Sequence, residues 1–233
     1  NKTNNELTER LAAAEKRIET LEKAQQAQAA ARPAAPPAQT AAFDIPVGSS
    51  YVLGNPTAPL TLVKFSDYEC PFCARTNDSF VKSIESDPEL SKSVKVVYKH
   101  FPLSFHQNAR SASKFALAAG EQGHDCFWKV TEKLYANQKE LNETNYQKWA
   151  KEVKCKNKDG KEVALNADKV WKDYKANDAK YEEMIKADTE LGMKVGVRGT
   201  PSFFINGWKV DQRDTTALRK LIDEKGLMTA AAK

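Results

Sequence analysis

The sequence predicts an α/β protein. A small mixed sheet carries helices on its faces, is split by an all-helical insertion, and is preceded by a separate amino-terminal helix. Three observations predict it. Apolar, β-branched runs stand near residues 60 and 94, and a third run, with an Asn-Gly pair, stands near 203. A long tract of helical pattern separates the second run from the third. Ahead of them all, a Pro/Ala-rich stretch cuts off a short segment of heptad-like spacing.

Residues 1–31 form the first unit. Leu7, Leu11, Ala14, Ile18 and Leu21 are spaced 4, 3, 4 and 3 apart, a narrow a/d seam that Gln25 and Gln28 weaken. Asn4 or Asn5 can cap the helix, and Glu19–Lys23 is a supporting pair at i,i+4. Such a stripe suits one partner helix, so a homodimer is expected, with a trimer as runner-up. The plainer alternative is a lone helix or frayed arm. Residues 32–50, ARPAAPPAQTAAFDIPVGSS in the main, read as a linker. Phe43 and Ile45 are its candidates for docking.

The main domain is expected over 51–228. LTLVKF (60–65) reads as a central strand. Ser66 to Glu69 turn the chain, and a helix starts near Cys70 or Pro71. It runs to about Asp87 with Phe80, Val81 and Ile84 facing inward. VKVVYKHFP (94–102) is the next strand. The insertion, about 104–192, holds helices over 108–119, about 124–137 and from Asn142 or Thr144 to Cys155. KCKNKDGK (154–161) is a polar turn, and a long helix spans roughly 167–190, broken by Gly192. GTPSFFINGWKV (199–210) is a hairpin turning at Asn206-Gly207. Asp214 or Thr215 caps a last helix, 216–225, and the final residues fray.

Composition narrows the function. Charged residues are 29% of the 233, and the formal net charge is +5 with the signs mixed along the chain. No dense basic cluster offers a nucleic-acid footprint. No run of about 18 apolar residues is present, so no membrane span is expected. No signal peptide is visible, and an Asn at position 1 is compatible with a processed secreted protein.

The four cysteines, Cys70, Cys73, Cys126 and Cys155, allow three pairings. Cys70 stands where a strand turns into a helix, where free N–H groups and the helix dipole favour a thiolate. Cys73, one turn on, can close a disulfide with it. Pro71 stiffens the turn, Phe72 brings no charge, and Arg75 is an exposed candidate for extra anion stabilisation. This context favours redox chemistry over a metal site or a purely structural bridge. Zinc would need two more ligands, and neither a second CxxC nor a histidine spacing supplies them. His100, His106 and His124 read as surface or core-edge residues, the alternative for the first two being the border of a redox face. Cys126 and Cys155 fall on neighbouring predicted helices. A structural disulfide there is favoured over two buried free thiols, and closing that loop is worth about 3–4 kcal/mol.

VKFSDYECPFC (63–73) and GVRGTPSFFINGWKV (196–210) together resemble the DsbA-like thiol–disulfide oxidoreductases: a thioredoxin-like fold with an inserted helical domain. The resemblance covers about residues 51–228. It implies that Pro201 is a cis-proline facing the CxxC motif and that Thr200 presents its backbone to a cysteine-containing peptide. It further implies that Cys70 forms a mixed disulfide which Cys73 resolves, with Pro71, Phe72, Thr200 and Pro201 binding substrate and tuning the pair. The function implied is introduction of disulfides into secreted proteins, with isomerisation as an added ability. The alternatives are a dedicated isomerase or reductase kept reduced in the cell, and a chaperone or adaptor without turnover. Neither cofactor nor metal is implied. The expected partners are cysteine-containing secreted proteins and a membrane redox protein. The expected compartment is the periplasm or another extracytoplasmic space.

Several departures from the family pattern stand out. Phe72 occupies a place often held by histidine between the cysteines. Lys64 occupies a place often held by a buried acid, and Asp67 or Glu69, read as more exposed, are the neighbouring acids. Thr200 is closer to the isomerase type than to the valine of the pure oxidases. The amino-terminal helix parallels the extra segment that joins dimeric DsbC-like isomerases.

Overall fold

The computed structural model describes residues 10–21, 23 and 39–230. The chain forms two compact units, Asn1–Ala38 and Gln39–Lys233. In the first, residues 10–21 are helical (α1). Leu11, Ile18 and Leu21 on it are 62%, 55% and 65% exposed, and Ala14 is exposed too. Leu7 lies outside the described residues. Lys23 reaches Glu19 at 2.6 Å, as the i,i+4 spacing predicts.

The second unit is built on a five-stranded sheet. Its strands are β1 Val52–Leu53, β2 Leu60–Ser66, β3 Val94–His100, β6 Ser202–Ile205 and β7 Trp208–Val210, in the spatial order β1-β3-β2-β6-β7. β2 and β3 are parallel, from Leu60 opposite Val94 to Ser66 opposite His100, and every other pairing is antiparallel. β2 lies at the centre with helices on both faces, which is why it reads as an apolar run rather than an alternation. Leu60 and Leu62 join the larger core with Cys70, Cys73, Phe80 and Ile84. Val63 and Phe65 point the other way, into a smaller core with Val97, Phe101 and Phe204. The hairpin turns as its sequence predicts: Asn206 at φ 44° and Gly207 at φ 82° take the left-handed conformations of a type I′ turn.

The helix after β2 runs from Pro71 to Ser86 as expected, with a π turn inside it. It comprises α2 Pro71–Thr76, a π turn Asn77–Val81 and α3 Lys82–Ser86, followed by α4 Leu90–Ser93. Phe80, Val81 and Ile84 are buried as expected. Between β3 and β6 lie α5 Ala109–Gly120, α6 His124–Ala136, α7 Glu143–Glu152, α8 Ala167–Ala176 and α9 Asp178–Lys194.

The insertion differs from its sequence reading in three ways. The polar stretch after α7 is a two-stranded hairpin, β4 Lys154–Lys156 with β5 Glu162–Ala164, so Cys155 sits on a strand and not on a helix. The helix expected over 167–190 is two helices that break at Asn177, whose short polar side chain suits a boundary better than a helix interior. Gly192 does not end the second of them. It lies inside α9, where an added Cβ would come within 2.7 Å of the Phe101 ring, so the glycine serves close packing.

Residues 39–50, read as linker, lie along the β6–β7 hairpin. Phe43 N–H donates to the Gly207 carbonyl at 3.0 Å, and the Gln39 side chain bonds both Gly207 and Lys209. Phe43 packs edge-on against Phe204, and Ile45 and Val47 cover the smaller core. Near the end of the chain, Asp214 caps α10 Thr215–Glu224, and α11 Leu227–Ala230 follows where fraying was expected.

Candidate active site

The buried end of β2 delivers the chain to a tight turn. Asp67 accepts from Glu69 N–H at 2.7 Å, from Leu103 N–H at 2.7 Å and from the His106 ring at 2.8 Å. It is 1% exposed, contrary to the exposed place its sequence position suggested. Its work is structural, tying the turn to the loop that carries Phe105. Glu69 accepts from Asn108 and Ala109 N–H at 2.6 and 2.7 Å, which supplies the start of α5 with an acceptor that no local side chain provides.

Cys70 is the N-cap of α2, with Pro71 in the first turn as expected. Its Sγ lies 3.3 Å from the Thr200 carbonyl, to which the thiol donates. The Thr200–Pro201 peptide is cis. The structure therefore brings Cys70 and Thr200, distant in sequence, into contact. Cys70 is only 4% exposed, against the open position expected for a reactive thiol, and Cys73 is wholly buried. Phe72, between the two cysteines, is 57% exposed, and Phe105, on the loop that Asp67 ties down, is 72% exposed. Arg75 stacks over the Phe72 ring at 5.3 Å.

The two thiols are electrostatically unlike. Cys70 is lowered to about 5. The hydrogen bond from the Cys73 side chain is the largest cause, burial opposes it, and the Thr200 side chain and the backbone N–H groups of Cys73 and Phe72 add to it. The Thr200 hydroxyl, buried without another partner, becomes a donor to the thiolate. Cys73 is pushed far up by burial and by its own donation to Cys70, against the pull of Lys64 and Ser66. The helix start contributes as expected, but the partner cysteine contributes more.

Several participants carried no sequence signal. Gln138, in the turn between α6 and α7, donates to the Tyr68 carbonyl at 2.7 Å and the Cys70 carbonyl at 2.9 Å. Ser66, Tyr135 and Tyr98 form a buried hydroxyl chain at 2.7 and 3.1 Å. A single glutamine, serine or tyrosine has no spacing pattern to mark it. The histidines stand apart from the sulfurs in different ways. His106 braces Asp67, and His124 accepts from Val52 N–H at 2.8 Å. His100 is buried among the rings of Tyr68, Tyr98 and Phe127 and lowered to about 3 by that burial. Cys126 on α6 and Cys155 on β4 are joined in a disulfide.

The thioredoxin family model matches residues 47–224, more than half of the chain and inclusive of all four cysteines and Pro201. The chain belongs to the thioredoxin family.

Among curated proteins, this thioredoxin-family chain is similar to Na(+)/H(+) antiporter NhaA 1 of Mycolicibacterium gilvum, 29% identical over 67% of the chain and 23% of the antiporter. It thus spans less than a quarter of that relative's length. No helix among the described residues is long and apolar enough to cross a membrane. A probable disulfide bond formation protein D of Bacillus anthracis is 26% identical over 74% of the chain and 76% of that protein. Among solved structures, BdbD of Bacillus subtilis superposes with a TM-score of 0.66 at 22% identity, covering 80% of this chain and 97% of that one. A thioredoxin-like oxidoreductase of Silicibacter pomeroyi gives 0.60 at 28% identity, covering 76% and 92%. The fold is the thioredoxin-like one with a large inserted helical subdomain, here carrying the β4–β5 hairpin, preceded by an amino-terminal helix.

Proposed function

We propose that Cys70 and Cys73 exchange disulfides with cysteine-containing secreted proteins, working chiefly as an oxidant. The observation that carries this reading is the placement of the pair, Cys70 capping α2 with its Sγ 3.3 Å from the Thr200 carbonyl and Cys73 wholly buried behind it, which favours a Cys70 anion beside a protonated Cys73. Stabilising the thiolate stabilises the reduced pair, which raises its reduction potential and makes its disulfide a better oxidant. In the forward reaction a substrate thiolate attacks Cys70 Sγ of the disulfide, and Cys73 leaves and takes up a proton. A second substrate thiolate then attacks the substrate sulfur of the mixed disulfide and expels the Cys70 thiolate. Two electrons pass to the pair, and the substrate gains one disulfide. Thr200 and Pro201 form the wall against which the substrate chain is held.

The Cys126–Cys155 disulfide favours an extracytoplasmic compartment. So does similarity to a relative named for disulfide bond formation. A membrane redox protein then restores the pair. The exposed stripe Leu11, Ala14, Ile18 and Leu21, extended by Leu7 in sequence, favours a homodimer through the amino-terminal helix. A dimer would add isomerisation to oxidation.

Oxidation of a reduced two-cysteine peptide by the preformed Cys70–Cys73 disulfide, followed with substrate in excess, tests the reading. One peptide disulfide per protein is expected before reoxidant is added. A peptide left reduced refutes it.

A further inference from the structure

Lys64 is wholly buried on β2. Its alternation with Ser66 places it on the face that packs against Cys70 and Cys73. The other buried lysine, Lys99, has a carboxylate partner in Asp188 at 3.1 Å. Lys64 has none within ion-pair distance among the described residues. Its Nζ donates to Asn77 Oδ1 at 2.9 Å and lies 4.6 Å from the Tyr135 ring centre and 5.7 Å from that of Tyr98. Asn77 in turn donates its backbone N–H to the Cys73 and Ala74 carbonyls, so the amine is anchored to the turn that carries Cys73.

A buried ammonium with one neutral hydrogen bond and two ring faces is poorly compensated. What can complete the compensation is the negative charge of the cysteine pair, and that charge exists only in the reduced state. We infer that Lys64 is a redox-linked proton site, holding a proton while Cys70 and Cys73 are reduced and releasing it when their disulfide forms. This rests on the reading above that the pair cycles.

The charges around the amine agree. With free cysteines Lys64 is lowered to about 8, burial being the largest cause, while Cys73, Asp78 and Cys70 pull it back up in that order. Forming the disulfide removes the single negative charge that the reduced pair carries, so the amine falls further. The groups facing it are few. α2 contributes Cys70 and Cys73, and the π turn contributes neutral Asn77 and Asp78, which is 69% exposed and paired with Lys82 at 2.7 Å. β3 and α6 contribute Tyr98 and Tyr135, which burial holds well above the ordinary phenol range and therefore neutral. On the β6 side its strand neighbour is Phe203, which has no charge.

The step balances. A Cys70 thiolate, a Cys73 thiol and a Lys64 ammonium become one disulfide and one neutral amine, releasing two protons and two electrons. The electrons and protons pass to a disulfide of a thiol partner, which is reduced to two thiols. Without the lysine, one proton accompanies the two electrons. Each such proton makes the reduction equilibrium tenfold less favourable per pH unit, about 30 mV of midpoint.

The test is the midpoint of the pair in the full chain, equilibrated with glutathione and its disulfide from about pH 6 to about pH 8 and read by thiol trapping. With the glutathione couple's own two-proton dependence added back, the wild-type reduction equilibrium is expected to lose a factor of 100 per pH unit over the part of that range where Lys64 changes protonation with redox state. Lys64→Met is expected to lose a factor of ten throughout. Lys64→Gln, which keeps a donor for Asn77, is expected to behave like Lys64→Met, so a purely structural role is separated from a protonic one. Circular dichroism and the intact Cys126–Cys155 bridge report folding of each variant. A wild-type slope of one proton across the whole range overturns the inference without reference to any variant, and so does a two-proton slope that survives in a folded Lys64→Met. A wild-type pair that never equilibrates with glutathione instead overturns the exchange reading, and the inference with it.

Discussion

Cys70 owes its acidity first to the Cys73 thiol and only then to the helix start. The two contributions respond differently to mutation. Cys73→Ala removes the donor and leaves the backbone N–H groups, so Cys70 should rise from about 5 toward the ordinary thiol range. Cys73→Ser restores an O–H donor and should rise less. Alkylation rate against pH reads both, and equal values for the two variants would refute the assignment. Both should accumulate mixed disulfide with substrate, because the resolving sulfur is gone. The same lowered thiol links stability to pH. The unfolded chain binds the Cys70 proton up to its ordinary value near 9 and the folded chain only below about 5, so between them the unfolded state holds more protons. The stabilisation is therefore present above that window and lost as pH falls through 5. From about pH 5 to about pH 7, reduced wild type should gain on reduced Cys70→Ser by on the order of 1 kcal/mol per pH unit in urea unfolding. Parallel curves would contradict it.

At the scale of elements, the site is assembled by pieces that are remote in sequence. β2 supplies the buried floor, α2 supplies the pair, and the turn before β6 supplies Thr200 and Pro201. The insertion reaches the same spot through Gln138, whose amide closes on two carbonyls of the active-site turn. Gln138→Ala takes that donor from both carbonyls; the Cys70 carbonyl keeps the Cys73 and Ala74 N–H groups, whereas the Tyr68 carbonyl is left without it, a loss that costs about 1–3 kcal/mol. A loss of that size is expected in the denaturation midpoint of the reduced protein, with the slope of the transition unchanged. A neutral Gln138→Ala would mean that water replaces the amide at no cost. The π turn at Asn77–Val81 is part of the same assembly, since Asn77 is both the residue that follows α2 and the acceptor for Lys64.

At the scale of the whole molecule, the unit Gln39–Lys233 contains every group named in the candidate site, and residues 39–50 are stitched to its β6–β7 edge. A chain beginning at Gln39 is therefore expected to fold and to keep the Cys70 acidity of the full protein. The exposed leucines and isoleucine of α1 have a different use. Burying each is worth roughly 1.5–3 kcal/mol, enough for association of a short seam only when several act together. Light scattering should give a dimer mass for the full chain at tens of micromolar and a monomer for the truncated one. A monomeric full chain ends the oligomer proposal. A truncated monomer that still reshuffles a scrambled multi-disulfide protein at the full rate separates the oligomer from isomerisation.

By itself the sequence determined the local items. An apolar run at 60–65, a Pro in the first helical turn after Cys70, an Asn-Gly pair at 206–207 and an Asp at 214 each specify backbone through their own sterics and hydrogen bonds. It also marked Cys70–Cys73 as the candidate redox pair, because strand, turn and helix are contiguous there. Only the tertiary structure decided which groups surround the sulfurs. Asp67 reads as an exposed turn acid, but the loop from Leu103 to His106 folds over it and its oxygens go to N–H groups. Cys155 was expected on a helix, and the hairpin that holds it forms by pairing with residues 162–164. Lys64 looked like a mere departure from an acidic pattern. Its burial against Tyr135 and Asn77, with no carboxylate at ion-pair distance among the described residues, depends on helices contributed from both sides of the cysteine pair. Burial and long-range pairing arise from distant segments meeting in space, and a window of neighbouring residues holds no trace of that meeting.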